Sequence, residues 1–191
     1  LAPPPAAAVR AVVGLALAEA IARLVPAGAT ADLPALTECY KRAFFALRQR
    51  PGMIEPLYDG AAAAIAELAA AGFLLGIATG KARRGLDAVL AAHGLAHHFV
   101  TLQTADVAPG KPDPTMLRQA IAEAGAAAQT AVMIGDTTFD IEMAVRAGVL
   151  AIGVAWGYHP PADLRAAGAA IVVERYGDVG EAVAQLIGSG A

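Results

Sequence analysis

The chain has 191 residues, 17 acidic side chains against 14 basic ones, and a formal net charge of -3. That length suits one medium domain, or a core with a small accessory one, and it buries roughly 70% of the surface that the unfolded chain exposes. Hydrophobic residues at 57% and charged ones at 16% exclude bulk disorder, and the single cysteine, Cys39, excludes an internal disulfide framework.

In chain order, the opening LAPPPAAAVR reads as a connector, so residues upstream of Leu1 are expected to belong to the protein. Residues 11–24 carry apolar side chains at helical spacing, and Pro26-Ala27-Gly28 ends them. The stretch 11–18 (AVVGLALA) has the length of a signal-peptide core, but it follows a proline triplet and continues as an amphipathic helix. Residues 32–50 repeat the helical pattern with Leu33, Leu36, Tyr40, Phe44 and Leu47 on one stripe, closed by Pro51-Gly52. The region 1–54 thus reads as a small helical domain.

From Pro56 onward short apolar runs alternate with helical patterns. Helices are expected at 61–71, 84–93, 114–124, 139–147, 162–167 and 179–187. Strands are expected at 73–79, 99–104, 131–135 and 150–154, with an edge strand at 170–173. Continuous apolar strands between helices predict a parallel sheet covered on both faces, a three-layer Rossmann-like α/β domain over residues 55–191.

Mean hydropathy of +0.54 looks membrane-like. Alanine, about a quarter of the chain, supplies it, and no stretch of about 18 strongly apolar residues exists. No membrane is expected as a partner. A mildly acidic chain without a basic stripe predicts no nucleic-acid partner either. A lone cysteine fits a reducing compartment, so the expected location is cytoplasmic.

In such sheets ligands sit outside the carboxyl ends of the strands. Three strand ends carry polar residues there: Thr79-Gly80-Lys81, Pro109-Gly110-Lys111-Pro112, and Gly135-Asp136-Thr137-Thr138-Phe139-Asp140. The chain uses eleven arginines and only three lysines, Lys41, Lys81 and Lys111, and the last two follow glycine just beyond a strand. Lysine there offers a compact point charge rather than a planar fork. Asp136 and Asp140 are four residues apart across a strand–helix turn, which suits a hard cation such as Mg²⁺. The plainer alternative for Asp136 is a helix cap. Thr79 offers a hydroxyl and Gly80 an accessible N–H to a phosphate oxygen. A hydroxyl, a lysine and a metal-binding acid pair on one rim meet the needs of phosphoryl transfer, which rests on positioning and charge stabilisation.

Other patterns are weaker. Residues 76–82 are one short of a P-loop and lack its Ser/Thr after Lys. His93, His97 and His98 cluster at a helix end, where cations are favoured. Cys39 has no histidine pattern nearby, and Trp156 and Tyr158 serve packing as readily as a site.

The order Thr79, Lys111, Asp136/Asp140 resembles motifs II, III and IV of the haloacid dehalogenase (HAD) superfamily. GIATGKARRGLDAVLAAHGL, ADVAPGKPDPTML, VMIGDTTFDIEMAVRAG and GVAWGYHPPADLRAAGA resemble its phosphoglycolate phosphatase-like subgroup, whose helical cap follows motif I. The resemblance implies an HAD-like core over 55–191 and a partial helical cap over 1–54. Motif I, Asp-x-Asp-x-Thr, would supply the nucleophile and the general acid; the sequence contains no Asp-x-Asp, which implies that this motif lies upstream of Leu1. The resemblance further implies phosphate binding by Thr79, Gly80 and Lys111, a Mg²⁺ cofactor on Asp136 and Asp140, a small phosphorylated metabolite as substrate, and Arg10 and Lys41 as cap residues for a substrate carboxylate. The chain alone is then expected to be inactive. The alternatives are a phosphomutase of the same superfamily and a non-catalytic phosphate-binding module. A response-regulator receiver is disfavoured, because its acids precede its Thr and Lys. The oligomeric state is left open.

Overall fold

A computed structural model describes residues 1–48, 50 and 54–188. The expected turn at Pro51-Gly52 lies outside the described residues. The N-terminal region is helical: α1 (Ala6–Ala11), α2 (Leu17–Leu24) and α3 (Leu33–Arg48). Asp32 starts α3 by accepting the Ala35 N–H at 2.9 Å.

The single helix expected over 11–24 is broken. Gly14 adopts a φ of +102°, in the left-handed region, and a Cβ there would meet Thr137 Oγ1 at 2.9 Å. The kink turns Leu15 into the protein, where it is 6% exposed. A tertiary contact overrides local helical spacing here.

The α/β region follows the expected order: α4 (Ala61–Ala70), β1 (Leu75–Thr79), α5 (Arg83–His93), β2 (Phe99–Thr104), α6 (Thr115–Glu123), β3 (Val132–Gly135), α7 (Thr138–Ala147), β4 (Leu150–Val154), α8 (Pro161–Ala167), β5 (Ile171–Val173) and α9 (Val179–Gly188). β1 starts two residues later than its apolar run suggests. The Phe73 N–H bonds Leu68 O and the Gly72 N–H bonds Ala69 O, so Phe73 closes a Schellman motif on α4 instead of joining the ladder.

All strand pairings are parallel, but they form two sheets among the described residues, β1-β2 and β3-β4-β5, rather than one. Side chains alternate between two faces. Ala78 of β1 and Met133 of β3 join the cluster under α6, α7 and α8, built on Met116, Ile141, Met143 and Leu164. Leu75 of β1 and Val132 and Ile134 of β3 join the opposite cluster, against α4 and α9. The helical layers are therefore continuous across both sheets, while the inner edges of β1 and β3 have no ladder between them. Among the described residues no helix is long and apolar enough to cross a membrane.

Candidate active site

Three loops at the carboxyl ends of β1, β2 and β3 converge on one short segment. A Cβ at Gly80 would lie 3.4 Å from Leu15 O, and one at Gly110 would lie 2.6 Å from Ala16 Cβ. Gly14 meets Thr137, as described above. Gly14, Leu15 and Ala16 are consecutive and span at most about 7.6 Å between their Cα atoms. The Thr79-Gly80, Gly110-Lys111 and Thr137–Asp140 stretches thus surround one spot.

The Lys111 ammonium is buried and ion-paired with Asp140 Oδ1. Asp140 Oδ2 accepts the Thr137 N–H at 3.1 Å and the Thr137 hydroxyl at 2.7 Å. Thr137, rather than Asp136, caps α7, and Asp140 closes the capping box. Both oxygens of Asp140 are thereby engaged by protein groups, and it holds the lysine in place.

Asp136 is left to other work. Its Oδ2 accepts the Tyr158 N–H at 3.0 Å, and its carbonyl accepts the His159 N–H at 3.1 Å. Burial, and then the charge of Asp140, push its carboxyl above the ordinary carboxylate range; the Tyr158 bond and Lys111 pull the other way. A carboxylate held ionised in that setting favours a cation beside it. The close approach depends on two glycines: a Cβ at Gly157 would lie 2.1 Å from Asp136 Cβ, and one at Gly135 would lie 2.2 Å from Asp140 Cβ.

Thr79 ends β1, and its hydroxyl oxygen accepts the Lys81 N–H at 3.1 Å. The hydroxyl hydrogen is then free to donate to an anion. Arg10 lies with its guanidinium 5.5 Å from the centre of the Tyr158 ring, beside the loop that holds Asp136. Lys41 sits on α3 in an exposed ion pair with Glu38 at 2.7 Å. Cys39 is exposed, and the His97 and His98 rings lie tilted against each other with centroids 3.9 Å apart. Among the described residues no group of three or more His, Cys, Asp or Glu side chains is placed to hold a metal.

Several residues at this rim carry no sequence motif. Gly14 was legible only as an isolated glycine inside a helical pattern. Tyr158 acts through its backbone N–H, which no side-chain pattern reveals. His159 accepts the Thr138 N–H on Nδ1 at 3.0 Å and rests its ring edge on Phe139.

Comparison with known proteins gives the family and the fold. A family profile described as haloacid dehalogenase-like hydrolase matches residues 1–154. A Dickeya dadantii protein named "Probable phosphatase IndB" is 36% identical over 176 residues, 90% of this chain and 75% of that one. A phosphoglycolate phosphatase from Mesorhizobium japonicum is 40% identical over 109 residues, 56% of this chain and 48% of its own length. A crystal structure of a hydrolase from Pseudomonas syringae superposes with a TM-score of 0.81 at 24% identity, covering 96% of this chain and 84% of that one. The chain thus spans three quarters of one curated relative and about half of the other.

Proposed function

Because the chain belongs to the haloacid dehalogenase-like hydrolase family, we propose that the protein is a Mg²⁺-dependent phosphatase of small phosphate monoesters of the phosphoglycolate kind. The observation that carries this reading is the buried Lys111–Asp140 pair set beside Asp136, at the rim that also bears Thr79 and Gly80.

The nucleophile belongs to an aspartate upstream of Leu1, on a strand between β1 and β3. One observation supports that position: among the described residues the inner edges of β1 and β3 have no ladder between them. Residues 1–54 act as the cap over this rim, and residues 55–191 as the core.

In this reading the upstream carboxylate attacks phosphorus and the ester oxygen leaves, taking a proton from a second upstream aspartic acid. That second carboxylate then takes a proton from the water that hydrolyses the aspartyl-phosphate. Thr79 Oγ1 and the Gly80 N–H donate to the transferring oxygens. Lys111 offsets their charge, and Asp140 keeps its ammonium aimed. Asp136 would hold the Mg²⁺ with the upstream carboxylate, a hard oxygen set that fits this ion. When bound, the ion supplies charge neutralisation at phosphate. The cap excludes water, with Arg10 set to meet a carboxylate on the leaving group.

The test compares a chain extended upstream into its natural sequence with one beginning at Leu1. The extended chain is expected to release inorganic phosphate from phosphoglycolate with Mg²⁺ and to stop on chelation. The shorter chain is expected to bind phosphate without turnover. Mg²⁺-dependent hydrolysis by a preparation shown by intact mass to begin at Leu1 overturns the upstream nucleophile. Isomerisation of a sugar phosphate with a bisphosphate activator, without phosphate release, identifies a mutase instead.

A further inference from the structure

Lys81 lies two residues beyond Thr79, yet the chemistry above does not use it. Its ammonium pairs with Glu55 Oε2. The other oxygen of that carboxylate, Oε1, faces Arg48 Nη1 at 3.0 Å. The backbone carbonyl of Glu55 lies 2.8 Å from His93 Nε2 at the end of α5. Arg48 also donates through Nη2 to Gly85 O, at 3.4 Å, in the first turn of α5. A Cβ at Gly85 would press on that guanidinium at 3.0 Å. Next to this contact the Arg84 guanidinium covers the Phe45 ring at 4.6 Å. One residue, Glu55, therefore joins the end of α3 and the loop after β1 through its carboxylate, and α5 through its backbone carbonyl.

We infer that Glu55 is a positioning residue, a latch that holds α3 to the α/β core through Arg48 and holds the phosphate-binding loop through Lys81. The loop arm rests on the phosphatase reading; the α3 arm does not. Gly80 has no side chain to fix its own peptide, so its N–H direction depends on its neighbours. Thr79 is fixed by the β1 ladder. Lys81 is fixed at both ends, by its N–H on Thr79 Oγ1 and its ammonium on Glu55. The two arms differ in strength. Lys81 makes a charge-assisted hydrogen bond. Glu55 Oε1 is enclosed and receives no hydrogen bond, so only Coulomb attraction ties Arg48 to this carboxylate. The Arg48 arm is the one that releases when α3 moves.

Glu55→Gln separates this role from plain electrostatics by sign. Removing a negative charge near an anion site tightens anion binding if charge alone matters, and more so if Lys81 is a direct ligand freed by the change. Loss of the latch weakens it. Two readouts on the chain extended upstream into its natural sequence decide. Titration of inorganic phosphate in the presence of Mg²⁺ is expected to show about fivefold weaker binding in Glu55→Gln, the upper end for a partly exposed pair. Nitroxide labels on Cys39, exposed on α3, and on an introduced Glu67→Cys on α4 give the α3-to-core distance by pulsed electron resonance. That distribution is expected to be narrow in the wild-type background and broader in Glu55→Gln. Arg48→Met, the second variant, is expected to broaden it as well, while phosphate affinity stays within about twofold because the Lys81 arm is intact. A distribution as narrow as the wild type in both variants, or phosphate bound as tightly or more tightly by Glu55→Gln, overturns the latch. If the unaltered extended chain binds no phosphate, the phosphatase reading fails and the distance distributions alone decide the α3 arm.

Discussion

The helical region and the α/β region are built on different terms. None of α1, α2 or α3 contains a buried residue, and Leu15, in the kink between α1 and α2, is buried only because it enters the rim of the other region. By contrast α7 alone buries Phe139, Asp140, Ile141, Met143 and Ala144. The helical region is attached by scattered contacts, among them Gly14 on Thr137, Ala16 against Gly110, Arg10 over Tyr158, Arg23 over Phe139 at 5.5 Å and Arg48 on Glu55. Stability therefore resides in the α/β layers, and the helical region is placed rather than packed. Such an element moves at low cost, which suits a part that closes over a substrate.

Core truncation tests that contrast most strongly. Ile141→Ala removes a fully buried side chain and is expected to cost about 2–5 kcal/mol. Phe44→Ala on α3, where the ring is 39% exposed, is expected to cost less than about 1 kcal/mol. Urea midpoints at constant m-value measure both, and similar losses break the contrast. Lys111→Met comes next: it leaves Asp140 buried with its Thr137 bonds but without its cation, at a cost of about 3 kcal/mol, and it is expected to abolish phosphate binding by titration. Gly14→Ala follows, at about 1–3 kcal/mol, because alanine at that φ is strained and its Cβ presses on Thr137. Its thermal unfolding is expected to shift while the α/β region stays folded by circular dichroism.

Asp136 gives a smaller effect with a definite sign. Its folded carboxyl holds a proton more tightly than the unfolded chain does. The stability it contributes is fully present below the unfolded pKa of about 3.9 and is lost as pH rises through the folded value. At neutral pH the ionised group is a cost. Asp136→Asn is thus expected to raise Tm at pH 7 in metal-free buffer, with the advantage shrinking toward pH 4. In the upstream-extended chain, adding Mg²⁺ is expected to raise the wild-type Tm and leave the variant unchanged. A variant that melts lower at pH 7, or responds equally to Mg²⁺, contradicts the cation-site reading.

The sequence was legible where chemistry and periodicity coincide. Strand ends followed by Thr79, Lys111 and Asp136 could be read because apolar runs stop there and polar residues begin. The kink at Gly14 could not, since it answers to Thr137, more than a hundred residues away. The late start of β1 reflects a Schellman motif that outcompetes the ladder for Phe73. The split into two sheets lies beyond any reading of single strands, because it depends on which edges find partners. Asp140 was legible as an acid near Asp136, but its bonds with Thr137 are a matter of rotamers. Glu55 carried no motif at all, because its partners lie 7, 26 and 38 residues away in the chain.

The smallest expected effect concerns Arg10 and Lys41. The resemblance assigns Arg10 and Lys41 the same role, and the structure treats them differently. Arg10 covers the Tyr158 ring beside the Asp136 loop, whereas the Lys41 side chain is 57% exposed and pairs with Glu38 one helical turn away. Exposed pairs of that kind contribute little, so Lys41→Ala is expected to change stability by less than about 0.5 kcal/mol. In an upstream-extended, active chain it is expected to leave KM for phosphoglycolate within about twofold. Arg10→Ala in the same assay is expected to raise KM with little change in kcat, the pattern of a lost ground-state contact. Equal effects from the two substitutions would mean that α3 swings far enough on closure to bring Lys41 to the rim, and the helical region would then be more mobile than its contacts with Thr137, Phe139 and Glu55 allow.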